Sequence, residues 1–184
     1  AARRTLAHTA AQVESACEAA VSFWTRVTAW ATEFNADRPK VFDRFSPTLR
    51  GMHSDSGGFE ESARLKFGVR LPPGLSVEEV SATLAGLATE AEVKLEDGVP
   101  AYRAEKNTPL VRAFLSSIRA AGGTPGFSLK SGTSDMNIVA PAWNCQALAY
   151  GPGDSSLDHT PDEHILIPDY LRAVDILAEV LRLL

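Results

Sequence analysis

Between Ser62 and Leu71 the chain reads SARLKFGVRL. Leu65, Phe67, Val69 and Leu71 alternate with Arg64, Lys66, Gly68 and Arg70. A period of two sends successive side chains to opposite faces of a strand, so both arginines fall on the face away from a core. Pro72-Pro73-Gly74 then forces a turn. Beyond it Ser76 and Glu79 form a capping box, with Val77, Val80, Leu84 and Leu87 following at helical spacing. Residues 91–96 alternate charged and apolar side chains, which predicts an edge strand.

Upstream, Phe42, Phe45 and Leu49 predict a strand around 44–53, and Ser54-Asp55-Ser56-Gly57-Gly58 a loop. Farther back, Val13, Ala16, Cys17, Ala20, Val21, Trp24 and Val27 recur every three or four residues. That spacing predicts an amphipathic helix over 10–33, ended by Asn35, Asp37 and Pro39 and preceded by a strand at 3–8. Phe23, Trp24 and Trp30 read as core or dimer packing. The order helix, strand, strand, helix, strand gives an α+β layer, an antiparallel sheet with two helices on one face.

The second half differs. Thr108-Pro109 is an N-cap with Pro at the first helical position, predicting a helix to about Ala121 that Gly122-Gly123 stops. Apolar runs follow at 137–140 and 145–150, the latter read as a buried strand. It empties into Gly151-Pro152-Gly153-Asp154, and Pro168 opens a last helix over 169–184. Its apolar stripe is Tyr170, Leu171, Val174, Leu177, Val180 and Leu181. Helix, strand, Gly-rich loop, helix is part of an α/β unit, where ligands gather at the carboxyl ends of strands.

Composition sets outer bounds. The 184 residues are 45% apolar and 22% charged, with 18 Lys+Arg against 23 Asp+Glu, a net charge of −5. That excludes intrinsic disorder. No run reaches the roughly 20 apolar residues of a membrane span. No signal peptide heads the chain and no basic run marks it, so neither membrane nor nucleic acid is an expected partner. Cys17 and Cys145 make no metal-type spacing, and a cytoplasmic location is expected. The opening AARRTLAH lacks an initiating Met and reads as a piece of something longer.

The segment YGPGDSSLDHTPDEHI, residues 150–165, is densest in groups able to do chemistry. His159 sits after Asp158 and two residues before Pro161, in a loop where a side chain is held yet meets solvent. On residue type alone it reads as either a metal ligand or a solvated histidine. His159 and His164 are not the i,i+4 pair of a helical zinc site, and His164 is expected to hydrogen-bond locally. Glu60-Glu61 and Asp162-Glu163 read as solvated pairs, Asp162 also as a helix cap.

SGTSDMNIVAP at 131–141, then YGPGDSSLDHTPDEHI, then a terminal amphipathic helix, together resemble the C-terminal end of the metal-dependent aminoacylase and deacylase family. That family includes acetylornithine deacetylase, succinyl-diaminopimelate desuccinylase and carboxypeptidase G. The closest likeness is to the branch that releases lysine or ornithine from an amino-group carrier protein or deacetylates acetyl-lysine. The earlier part matches by order of elements, by His8 and by FGVRLPPG. The resemblance implies a lid and dimerisation domain over 1–103, then the C-terminal segment of an α/β zinc-peptidase-like catalytic domain over 104–184.

Carried over residue by residue, His159 matches the family's C-terminal metal-ligating histidine, for zinc or cobalt. His8 matches the lid histidine that donates a hydrogen bond to the oxyanion in the partner subunit's site. Arg70 stands at the strand arginine that takes the substrate carboxylate. Gly132, Thr133 and Ser134 match a pocket loop braced by Asp135. Asn137 stands where relatives have arginine, implying a substrate other than a dicarboxylate, while Gly151 and Gly153 shape the turn presenting His159. The family's His-x-Asp motif, bridging Asp and paired glutamates, general base included, are read as lying outside this chain, so the chain alone is expected to be inactive. The expected reaction is hydrolysis of the amide of an N-acylated amino acid, small or carrier-protein-linked, by a homodimer joined through the lid. A carboxypeptidase or dipeptidase of the same family, or a non-catalytic dimerising module, are the alternatives.

Overall fold

The computed structural model describes residues 2–5, 13–89, 91–130 and 132–184. The chain folds as two compact units, Ala1–Ala101 with Lys130–Thr133, and Tyr102–Leu129 with Ser134–Leu184.

The first unit holds strands β1 (Ala2–Thr5), β2 (Ser46–Gly57) and β3 (Glu60–Arg70) in the order β1-β3-β2, all antiparallel. Helices α1 (Ala16–Phe34) and α2 (Val77–Leu87) complete it. The loop expected at 54–58 is strand instead. Cross-strand pairing from Ser54↔Ala63 to Gly57↔Glu60 overrides the turn composition, and only Gly58 and Phe59 turn. Gly58 takes φ +64°, which the missing Cβ permits. Residues 91–96 form no strand. The charged and apolar alternation there is not matched by a ladder partner among the described residues.

Capping decides where α1 begins. Ser15 Oγ accepts from the Glu18 N–H at 3.2 Å, and the Glu18 carboxylate accepts from the Ser15 N–H at 2.8 Å. Residues 13–15 are therefore outside the helix that was expected from residue 10. Glu61 is not merely solvated, since its Oε1 accepts from the Ala16 N–H at 2.6 Å and ties the sheet to the helix start. The buried stripe is Ala16, Ala20, Phe23, Val27 and Ala31. Cys17 and Val21, expected on it, are exposed, because the buried row follows Phe23 rather than Trp24. Asn35 closes the other end, donating to the Phe45 carbonyl at 2.8 Å and accepting from its N–H at 3.0 Å.

These contacts gather Phe23, Val27, Ala31, Phe45, Val80 and Leu84 into one core, lined by Leu65, Phe67, Val69 and Leu71. Trp30 lies edge-on to Phe45 at 4.5 Å, and Trp24 packs on Phe67 at 5.5 Å. Both tryptophans are thus packing residues. At α2 the expected capping box is present, Ser76 with Glu79.

The second unit is helical among its described residues: α3 (Pro109–Ala120), α4 (Met136–Trp143) and α5 (Ile167–Leu183). Thr108 Oγ1 caps α3 by accepting from Val111 N–H at 3.1 Å. Ala113 and Phe114 of α3 pack on Ile176 and Val180 of α5. The run 137–140 is helix. The run 145–150 is no strand, and Cys145 is exposed. It lies instead along α3, where Gln146 Oε1 accepts from Leu110 N–H at 3.1 Å and Tyr150 meets the Phe114 ring at 4.9 Å. Of the stripe expected on α5 only Val180 is buried, with Ile176, whereas Tyr170, Leu171, Val174, Leu177 and Leu181 are exposed. No described helix is long and apolar enough to cross a membrane.

Leu84 is 2% exposed in the first core. Leu84→Ala is expected to cost about 2–5 kcal/mol in urea unfolding, while Phe59→Ala, at the open turn, stays within about 0.5 kcal/mol. Both capping glutamates have their pKa lowered, first by the backbone N–H bond and then by the side-chain bond of Ser15 or Ser76. A depressed folded pKa stabilises above the unfolded value and loses that stability as pH falls through the folded one. Helical circular dichroism is therefore expected to weaken below about pH 4, less steeply in Glu79→Gln.

Candidate functional site

The loop between Tyr150 and α5 is built by short-range bonds. Gly153 adopts φ +103°, a conformation that favours glycine. Asp154 Oδ1 accepts from Ser156 N–H at 2.9 Å, and its carbonyl accepts from Leu157 N–H at 3.0 Å. The Leu157 carbonyl in turn accepts from Thr160 N–H at 3.0 Å and from Thr160 Oγ1 at 2.7 Å. At the crest is His159, exposed, with φ +64°. A non-glycine residue in the left-handed region is uncommon, and such strain concentrates where a side chain must be aimed.

Glu163 holds that conformation. Its Oε2 accepts from the His159 N–H at 2.9 Å, so Asp162-Glu163 is not simply a solvated pair. His164 bonds locally as expected, Nδ1 lying 2.7 Å from the Asp162 carbonyl. A carbonyl only accepts, so Nδ1 carries the proton in that bond. Asp162 does not cap α5, whose N-cap is Leu166. Burial pushes the Tyr150 phenol above its ordinary range, partly opposed by Arg172.

In the second unit Ser134 precedes α4. Asn137 Oδ1 accepts from the Ser134 N–H at 3.0 Å. That bond makes Asn137, half-buried, the brace of the loop. Asp135, expected to brace it, makes no side-chain cap. Gly132 and Thr133 are exposed, and a Cβ on Gly132 would meet open space. In the first unit Arg70 is exposed at the end of β3, paired in register with Ser46. His8 lies outside the described residues.

Metal-binding capacity is distributed thinly. Among the described residues no group of three or more His, Cys, Asp or Glu is placed to hold an ion. One literal His-x-Asp tripeptide, His53-Ser54-Asp55, does occur, contrary to the expectation that none would. It lies along β2, both side chains exposed, opposite Arg64 and Ser62. His159 therefore offers one donor of the right kind, a solvent-facing imidazole on a braced loop, and needs donors from elsewhere to complete a site. Sequence reading finds the histidine but not Glu163, because a bond to a backbone N–H leaves no residue-type signature.

Comparison with known proteins gives a consistent result. The family profile described as Peptidase family M20/M25/M40 matches residues 9–183. The chain is 40% identical over 181 residues to "[LysW]-lysine hydrolase" of Deinococcus radiodurans, covering 95% of this chain and 49% of that protein. A Thermococcus kodakarensis protein with the provisional name [LysW]-lysine/[LysW]-ornithine hydrolase is 39% identical over 140 residues, 76% of this chain and 37% of its own. Among solved structures, an M20 family metallo-carboxypeptidase, Sso-CP2 from Sulfolobus solfataricus, superposes with a TM-score of 0.61 at 20% identity. The match covers 83% of this chain and 42% of that one. The chain thus spans half or less of each of these relatives.

Glu163→Ala is expected to speed exchange of the His159 amide hydrogen by about tenfold, about 1.4 kcal/mol of lost protection. Glu163→Gln keeps an acceptor and is expected to restore most of it. Amide-resolved hydrogen exchange measures both.

Proposed function

The chain belongs to peptidase family M20/M25/M40, and from that premise we propose that it is part of a metal-dependent hydrolase releasing lysine or ornithine from an acyl or carrier-protein linkage. The single observation carrying this reading is His159, an exposed imidazole held at φ +64° by the Glu163 carboxylate. Relatives named for [LysW]-lysine and [LysW]-ornithine hydrolysis support this choice of substrate class.

In this reading residues 1–103 are a lid and dimerisation domain, and residues 104–184 the C-terminal segment of the catalytic domain. A divalent zinc or cobalt ion, when bound, supplies Lewis-acid polarisation of the amide carbonyl and activates water. His159 would hold it through an imidazole nitrogen, and the bond to Glu163 would limit the backbone motion that misplaces the ring. Arg70 takes the substrate's carboxylate through paired N–H donors. Gly132 leaves room for backbone approach, and Thr133 and Ser134 offer hydroxyls. Asn137, already turned to Ser134, keeps that loop set. His8 donates to the oxyanion that develops at the carbonyl carbon, across a homodimer.

Two features support partners for each unit. β2 is an edge strand among the described residues, open for pairing with a second copy. The exposed apolar row on α5 supports further polypeptide completing the catalytic domain.

The natural polypeptide, loaded with zinc or cobalt, is expected to hydrolyse N-acetyl-lysine or a carrier-linked lysine faster than a dipeptide. His159→Ala is expected to lower kcat/KM by about a hundredfold or more, about 2.7 kcal/mol of transition-state stabilisation. This 184-residue chain alone is expected to give no turnover. Full turnover by the variant, or preference for dipeptides, contradicts the reading.

A further inference from the structure

We propose that Asp97-Gly98 is a site of spontaneous covalent modification, at which the folded chain converts aspartate to isoaspartate. It is the one place in the sequence where Asp or Asn precedes glycine. The dipeptide alone does not decide reactivity, because a ladder or a hydrogen bond can hold the same two residues apart. Here the fold leaves both reacting groups free. Residues 91–107, between α2 and α3, form no helix or strand, and Asp97 and Gly98 are both exposed. Among the described residues no hydrogen bond or ion pair engages the Asp97 carboxylate, and nothing accepts from the Gly98 N–H.

The fold itself calls for both residues. Asp97 has φ +49°, in the left-handed region that Asp and Asn tolerate better than other side chains. Gly98 runs against the start of α2, where an added Cβ would stand 2.4 Å from Val77 Cγ1 and 3.1 Å from Cγ2. No other residue fits without displacing Val77. The turn thus selects an aspartate and the packing selects a glycine. That glycine leaves its own amide nitrogen without a side chain to shield it.

The step balances with water alone. The Gly98 nitrogen attacks Asp97 Cγ and a C–N bond forms. Its proton leaves with the carboxyl hydroxyl as water, closing a five-membered imide. Water then adds to one of the imide carbonyls. Breaking the bond from nitrogen to Cγ restores aspartate. Breaking the bond from nitrogen to the α-carbonyl carbon gives isoaspartate, whose main chain runs through Cβ and Cγ. Mass and charge are unchanged, but the main chain is one atom longer, so Gly98 must shift from Val77. The inference is independent of the hydrolase reading: a chain with no activity would still isomerise at Asp97.

Two other aspartates supply the contrast. Asp55 lies in the β2 ladder opposite Ser62, and Asp154 Oδ1 already accepts from Ser156 N–H at 2.9 Å. The full chain and a free peptide of residues 93–102 are kept in neutral buffer for weeks and sampled by peptide mapping. Retention and fragmentation at the Cα–Cβ bond distinguish the isomer. Isoaspartate at position 97 is expected to form within about tenfold of the free-peptide rate, and about tenfold or more faster than at Asp55 or Asp154. Asp97→Glu needs a six-membered ring and is expected to give no isomer. Asp97→Asn closes the same imide with loss of ammonia and is expected to yield both isomers. Circular dichroism checks that both variants fold. Isomerisation in the folded chain more than about tenfold slower than in the peptide, equal accumulation at the three aspartates, or isomer in Asp97→Glu would overturn the proposal.

Discussion

Leu65, Phe67 and Val69 can reach the aromatic core of the first unit only if Arg64, Lys66 and Arg70 leave it. A pleated strand has no third option, and a slip of one residue would bury the guanidinium and ammonium groups and expose every apolar side chain. The cost of burying those charges is far larger than any single packing gain, so the register of β3 is strongly specified. Because β3 is central, β1 and β2 inherit that register. Phe45 then falls where Asn35 can bind both its backbone groups, which closes α1 onto the sheet.

Elements whose signal is local were legible. The β3 alternation, the Ser76 and Thr108 caps, and the Gly-rich loop ahead of His159 all follow from neighbours in sequence. What failed required knowing a distant partner. Ser54 to Gly57 have turn composition, yet pairing with Glu60 to Ala63 makes them strand. Residues 91–96 and 145–150 have strand composition without a strand beside them among the described residues. A short apolar run cannot by its own pattern say whether it is helix or strand, and 137–140 resolves as helix despite Pro141.

The candidate site divides in the same way. His159 was legible as a residue type in a suggestive loop, and the family profile places it inside the matched span. Its left-handed backbone and the bond from its N–H to Glu163 are three-dimensional facts. The backbone at His159 is one that a glycine would adopt more cheaply, and the Glu163 carboxylate is the partner that holds it.

The reading of this chain as part of a metal hydrolase rests on the imidazole at position 159. A crystal structure of the natural polypeptide grown with zinc, with the ion located by anomalous scattering, addresses it most directly. The account predicts a His159 ring nitrogen about 2.0–2.1 Å from the ion, with Glu163 still bonded to the His159 amide. A His159 ring remote from every bound ion would contradict it.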